Sequence, residues 1–83
     1  MDLIELTETI IKKLVSDPEN VSAKEFETDE ENTIQIEVLI SEEDKGRVIG
    51  KNGKTINSIR TIVQASSSLT EENKRVRINV DSY

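Results

Sequence analysis

The sequence predicts a two-layer α+β domain of order α-β-β-α-α-β, in which a three-stranded mixed sheet packs against three helices. Three observations predict it: a helical apolar stripe near the N-terminus, a strict isoleucine/valine alternation in mid-chain, and the confinement of all three glycines to positions 46–53. Eighty-three residues suffice for one such domain, residues 1–83, and not for a second.

Residues 2–16 carry Leu3, Leu6, Ile10 and Leu14, with Ile4, Ile11 and Val15 beside them. These recur three and four residues apart, the apolar stripe of an amphipathic helix. Asp17-Pro18 ends it, because proline disfavours helical geometry in the residue before it. Residues 21–28 read as a weaker strand: Val21 and Ala23 alternate with Ser22 and Lys24, and Phe26 out of phase implies a bulge or an early end. After the polar turn Asp29-Glu30-Glu31-Asn32, Thr33 to Ile40 is the clearest strand. Ile34, Ile36, Val38 and Ile40 share one face, with Thr33, Gln35 and Glu37 opposite. The short polar link makes these two strands an antiparallel hairpin.

Ser41 is placed as an N-cap, and Glu42, Glu43 and Asp44 fill a first helical turn where the dipole favours carboxylates. That helix runs to around Val48 before Gly50 and Gly53 interrupt it. The next directs Ile56, Ile59, Ile62 and Val63 to the core and fades in Ser66-Ser67-Ser68. Beyond the polar stretch Leu69 to Lys74, Val76, Ile78 and Val80 alternate with Arg75, Arg77 and Asn79 as the last strand. A crossover through two helices makes the second and third strands parallel.

Composition narrows the chemistry. With no Cys and no His, disulfide frameworks, Cys/His zinc sites, thiol nucleophiles and imidazole catalysis are excluded, and neither metal nor cofactor is expected. No apolar run is long enough for a membrane span, and the acidic N-terminus is unlike a signal peptide, so a soluble cytoplasmic protein is the expectation. Apolar residues are only 34% of the chain, which makes a small core and leaves room for a partner that covers apolar surface. The net charge of −6 is polarised: 14 acidic residues face three lysines in residues 1–44, against eight cations and three acids in 45–83. The second part therefore offers an anion-facing side, or an ordinary mixture of solvated faces.

Glycine weakens a helix by about 1 kcal/mol relative to alanine, so three within eight residues need a reason. Gly50 and Gly53 allow a sharp turn and close ligand approach. Amides around Gly53, Lys54 and Thr55 begin a helix and favour an anion such as phosphate. Lys51 and Lys54 add charge there, with Arg47 and Arg60 within a turn or two. A plain helix–helix turn would need no second glycine. A hairpin at Asn52-Gly53 conflicts with its helical flanks. A nucleotide-binding P-loop would need glycine at position 48, where Val48 stands, and a preceding strand.

The run from Val48 to Ile59 fits the pattern V-I-G-x-x-G-x-x-I-x-x-I throughout. It resembles the KH domain, and with its length and element order the whole chain resembles the small bacterial single-KH RNA-binding proteins of the KhpA type. The resemblance implies a type II KH fold without catalysis, its helix-loop-helix at 42–66. It also implies that the GxxG loop Gly50-Lys51-Asn52-Gly53 contacts the phosphates of single-stranded RNA, clamping about four nucleotides. A role as RNA chaperone or post-transcriptional regulator with broad sequence tolerance goes with this. Bases would lie beside Ile49 and Ile56, although Ile56 serves equally well as core; Asn57 and Arg60 either reach the RNA or form a solvated helix face. The acidic turn Glu27-Thr28-Asp29-Glu30-Glu31 would border the groove and repel phosphate unless its carboxylates point away. The resemblance further implies a homodimer, or a heterodimer with a KH protein of the Jag type; Leu69 or Ile62 would suit that interface, though Ile62 suits the core better. The rival function is a protein-interaction module that touches RNA little. An enzyme lacks any nucleophile or metal set to pair with the carboxylates.

Overall fold

The computed structural model describes residues 2–70 and 73–83. Helix α1 spans Leu3–Lys12, strands β1 and β2 span Ser22–Phe26 and Thr33–Ile40, helices α2 and α3 span Glu42–Ile49 and Lys54–Ser68, and β3 spans Arg75–Ser82. The sheet order is β1-β2-β3, with β1 antiparallel and β3 parallel to the central β2. This is the expected α-β-β-α-α-β arrangement. Part of the expected polar stretch after α3, Glu71 and Glu72, lies outside the described residues.

The alternation in β2 fixes which side is core. Ile34, Ile36, Val38 and Ile40 point inward and pair across the parallel ladder with Val76, Ile78, Val80 and Ser82. The inward isoleucines and valines meet Ile11 of α1, Val48 of α2, and Ile56, Ile59 and Val63 of α3. All three helices cover this one face. The opposite face, carrying Lys24, Phe26, Gln35, Glu37, Leu39, Arg75, Arg77 and Asn79, is left open.

Three boundaries or placements differ from expectation. Helix α1 ends at Lys12 rather than Ser16, because the Ser16 and Asp17 amides donate to the Asp44 carboxylate instead of continuing the helix. Strand β1 begins at Ser22 and stops at Phe26 in regular register, so the early end applies and the bulge does not. Phe26 sits opposite Gln35 on the open face, in phase with Ser22 and Lys24, which explains its break with the inward pattern. Ile62 is 51% exposed, not core. At about 100° per residue it falls well round the helix from the stripe of Ile56, Ile59 and Val63.

Candidate nucleic-acid interface

The site forms where α2 stops. Gly50 has φ 76° and ψ 175°, a region essentially restricted to glycine. A Cβ there would lie 2.3 Å from Thr55 Oγ1 and 2.9 Å from Thr55 N. Both the dihedral and the close approach of α3 therefore demand glycine. Asn52 (φ 56°, ψ 27°) and Gly53 (φ 74°, ψ 13°) then take the left-handed region in succession and swing the chain into α3. Asparagine tolerates that region better than most residues. At Gly53 an added Cβ would meet nothing closer than 3.7 Å, so only its dihedral favours glycine.

The loop's hydrogen bonds decide which amides face outward. Gly50 N donates to Gly46 O, Gly53 N to Gly50 O, and Lys54 N to Lys51 O. The sequence points to the amides of Gly53, Lys54 and Thr55; the first two are consumed by the loop's own turn. Lys51 and Asn52 form the exposed tip. Arg47, Lys51 and Lys54 are all exposed around this tip. The fifteen-residue α3 begins here, and its positive dipole end adds to the same field.

The remaining candidates divide. Ile49 is partly buried against the core and borders the loop, whereas Ile56 is only 5% exposed and supports the loop from beneath. Arg60 is exposed, yet its donors are engaged: Nε and Nη2 reach Ile78 O of β3 at 3.2 and 3.0 Å, and Nη1 reaches Asn57 Oδ1 at 2.9 Å. It ties α3 to the outer edge of β3 and orients Asn57 beside Gly53. Gln64 completes that edge as a surrogate strand, donating to Lys74 O and accepting from Val76 N. In the acidic turn, Glu30 pairs with Arg77 at 2.7 Å, which neutralises one of its carboxylates.

Sequence reasoning missed Asp44. Its carboxylate is 1% exposed and accepts from Ser16 N (2.9 Å), Ser16 Oγ (2.7 Å) and Asp17 N (3.2 Å). These bonds, the Ser16 amide first, hold its pKa below the ordinary aspartate value against the opposing effect of burial, with Arg47 assisting. Asp44 therefore locks the start of α2, and so the direction in which its far end presents the loop. The residue is visible as a first-turn carboxylate; its partners, 27 and 28 residues away, are not. Nearby, the Ser82 amide and Lys45 likewise lower the Asp81 pKa, and the Lys45–Asp81 pair (3.1 Å) joins α2 to the end of β3.

Two helices joined by a glycine-bounded turn, entered from a central strand and followed by a strand parallel to it, define the KH class. Residues 4–80 match the family model for the KhpA/KhpB KH domain, and the chain belongs to that family. It is 42% identical over 76 residues to "RNA-binding protein KhpA" of Clostridium perfringens, covering 92% of this chain and 96% of that protein. The Thermotoga maritima protein of the same name is 41% identical over 76 residues, covering 92% and 95%. That of Listeria monocytogenes is 42% identical over the same shares.

Proposed function

We propose that this chain is a non-catalytic module that binds single-stranded RNA, its backbone held by Gly50-Lys51-Asn52-Gly53. The observation that carries this is the loop tip: the exposed Lys51 and Asn52, with Arg47 and Lys54 exposed beside them at the positive end of α3. Phosphate suits such a concavity. The names of the KhpA relatives support RNA as the polymer. Ile49 lines the base side of the loop, Asn57 flanks Gly53, and Arg47 and Lys54 act through charge. Contacts of this kind grip backbone more than base edges, which makes recognition sequence-tolerant. RNA as ligand sets the place of work in the cytoplasm; no helix among the described residues is long and apolar enough to cross a membrane.

Replacing both Lys51 and Asn52 with Asp puts two carboxylates where phosphate sits. Affinity for single-stranded RNA in a gel shift should fall by about tenfold or more, since charge-assisted bonds become repulsions. Circular dichroism should be unchanged, because both side chains are exposed. Undiminished binding would refute the assignment.

Association with a second KH chain, either another copy or a Jag-type protein, is part of the same reading. Ile62 and Leu69, 51% and 89% exposed on and just after α3, supply apolar surface for it.

A further inference from the structure

Three helices cover one face of the sheet, and the other face holds a groove of about 470 Å³. Its lining includes Lys24, Phe26, Glu37, Leu39, Asp81 and Tyr83, drawn from all three strands and the residue after β3. Phe26 and Tyr83 are the only aromatic residues of the chain. With Leu39 they make three of the six large apolar side chains that the described residues expose. Both aromatics and a leucine gathered in one concavity have the composition of an interface centre, not of a solvated surface.

The polar groups of the groove set the charge of its occupant. Glu37 lies midway along the central strand, is half-buried, and makes no hydrogen bond or ion pair among the described residues. Lys24 stands opposite it in the antiparallel ladder without closing an ion pair. Asp81 is already taken by Lys45 and the Ser82 amide. Beyond the Leu39 and Tyr83 end, Glu19 precedes β1 and Glu42 and Glu43 follow β2, all exposed. A half-buried carboxylate without a donor, in a groove with an acidic rim, is complementary to a cation set among apolar groups.

The same features disfavour two other occupants. RNA would bring phosphates against these carboxylates. A second copy docked face to face about a two-fold axis would set Glu37 near its own counterpart, because Glu37 is central. A helix suits the surface, since sheets bury their faces against helices. At 1.5 Å per residue, about 17 helical residues run the length of the eight-residue β2.

We infer that an amphipathic helix of another protein docks in this groove, its apolar side on Phe26, Leu39 and Tyr83 and one of its lysines or arginines paired with Glu37. The surface is distinct from the Ile62 and Leu69 side of α3. The glycine loop belongs to the helical layer across the sheet, so a partner held here leaves it open. Docking does not depend on what the loop binds.

The chain has one tyrosine and no tryptophan, so its intrinsic fluorescence reports on Tyr83 directly. Two synthetic helices of about 18 residues serve as probes, both with leucines at helical spacing and no aromatic residue. One carries lysines at its other positions and one carries glutamates. The lysine helix should change Tyr83 emission saturably, and the glutamate helix should not. Glu37→Gln should weaken binding of the lysine helix by about tenfold, because a charge-assisted bond is lost. Phe26→Ser should weaken it at least as much. Glu5→Gln, which removes the same charge from α1 in the helical layer, should bind as the wild type does. Circular dichroism should be alike in all of them, and Glu37→Gln keeps the side chain's shape should Phe26→Ser lower stability. No saturable response to the lysine helix, or equal losses in Glu5→Gln and Glu37→Gln, overturns the inference. So does a Tyr83 response to oligouridylate that Phe26→Ser abolishes, which would make the groove an RNA surface. Self-association that Phe26→Ser abolishes and Ile62→Asp keeps also overturns it, because the occupant would then be a second copy.

Discussion

The two ends of the eight-residue α2 treat their polar groups in opposite ways. At the N-terminal end, Asp44 is buried and each of its carboxylate oxygens accepts from the segment after α1. At the C-terminal end, Gly50 turns the chain outward, and the cations Lys51 and Lys54 beyond it face solvent. A hydrogen-bonded buried carboxylate fixes position, and an exposed cationic cluster is free to take a ligand. One end serves the fold so that the other can serve binding.

The largest effect should come from Gly50→Ala. The new methyl would have to share space with Thr55 while the backbone holds a conformation alanine avoids. Stability measured by urea denaturation should drop by about 3 kcal/mol or more, unless the loop moves and the drop is exchanged for lost RNA binding. A variant with both properties intact would break the comparison, because it would mean the turn does not need its glycine.

Asp44→Asn probes the other end. Asparagine keeps the shape but offers one oxygen where Ser16 and Asp17 present three donors. The melting temperature should fall while the loop's side chains stay exposed. The acid dependence sharpens this. The folded pKa of Asp44 is lowered, so the stability it contributes is complete above the ordinary aspartate value of about 3.9 and is lost as pH falls below it toward the folded value. Melting temperature should therefore decline more steeply in the wild type than in Asp44→Asn as pH drops through about 4. Parallel declines would mean that the carboxylate is not the anchor.

What could be read from the sequence follows the range over which each feature is determined. The bounds of β2 were legible as Thr33 to Ile40 because alternation is a local property of eight residues. So was the loop, since the glycine spacing and the helical flanks lie within one short segment. The end of α1 was not, because it depends on Asp44 capturing amides from across the molecule. The bonding of Arg60 to Ile78 O and of Gln64 to the β3 edge is tertiary for the same reason. The bonds that engage Gly53 N and Lys54 N were not legible either, because a helix start alone does not show that a tight turn uses its own last donors.

Gly53→Ala should matter less than Gly50→Ala, and the gap between the two measures how much of the loop's need for glycine is steric. An added Cβ at Gly53 has ordinary room, so the cost is the left-handed dihedral alone, about 1–2 kcal/mol by urea denaturation. Equal costs at the two positions would show that dihedral strain dominates both.

The smallest effect on stability belongs to Ile62→Asp, and that smallness makes it informative. Ile62 is apolar, sits mid-helix, and would read as core from composition, yet half of it is exposed while Ile59 beside it is 2% exposed. Truncating Ile59 to alanine should cost about 2–5 kcal/mol through cavity formation. A charge at 62 buries nothing and should change folding stability by no more than about 0.5 kcal/mol. If the exposed side of α3 meets a second KH chain, light scattering at rising concentration should show the wild type associating and Ile62→Asp remaining monomeric. A variant that unfolds would place Ile62 in the core after all. One that folds normally and associates as strongly as the wild type would move the partner contact to another surface and leave this side of α3 without a role.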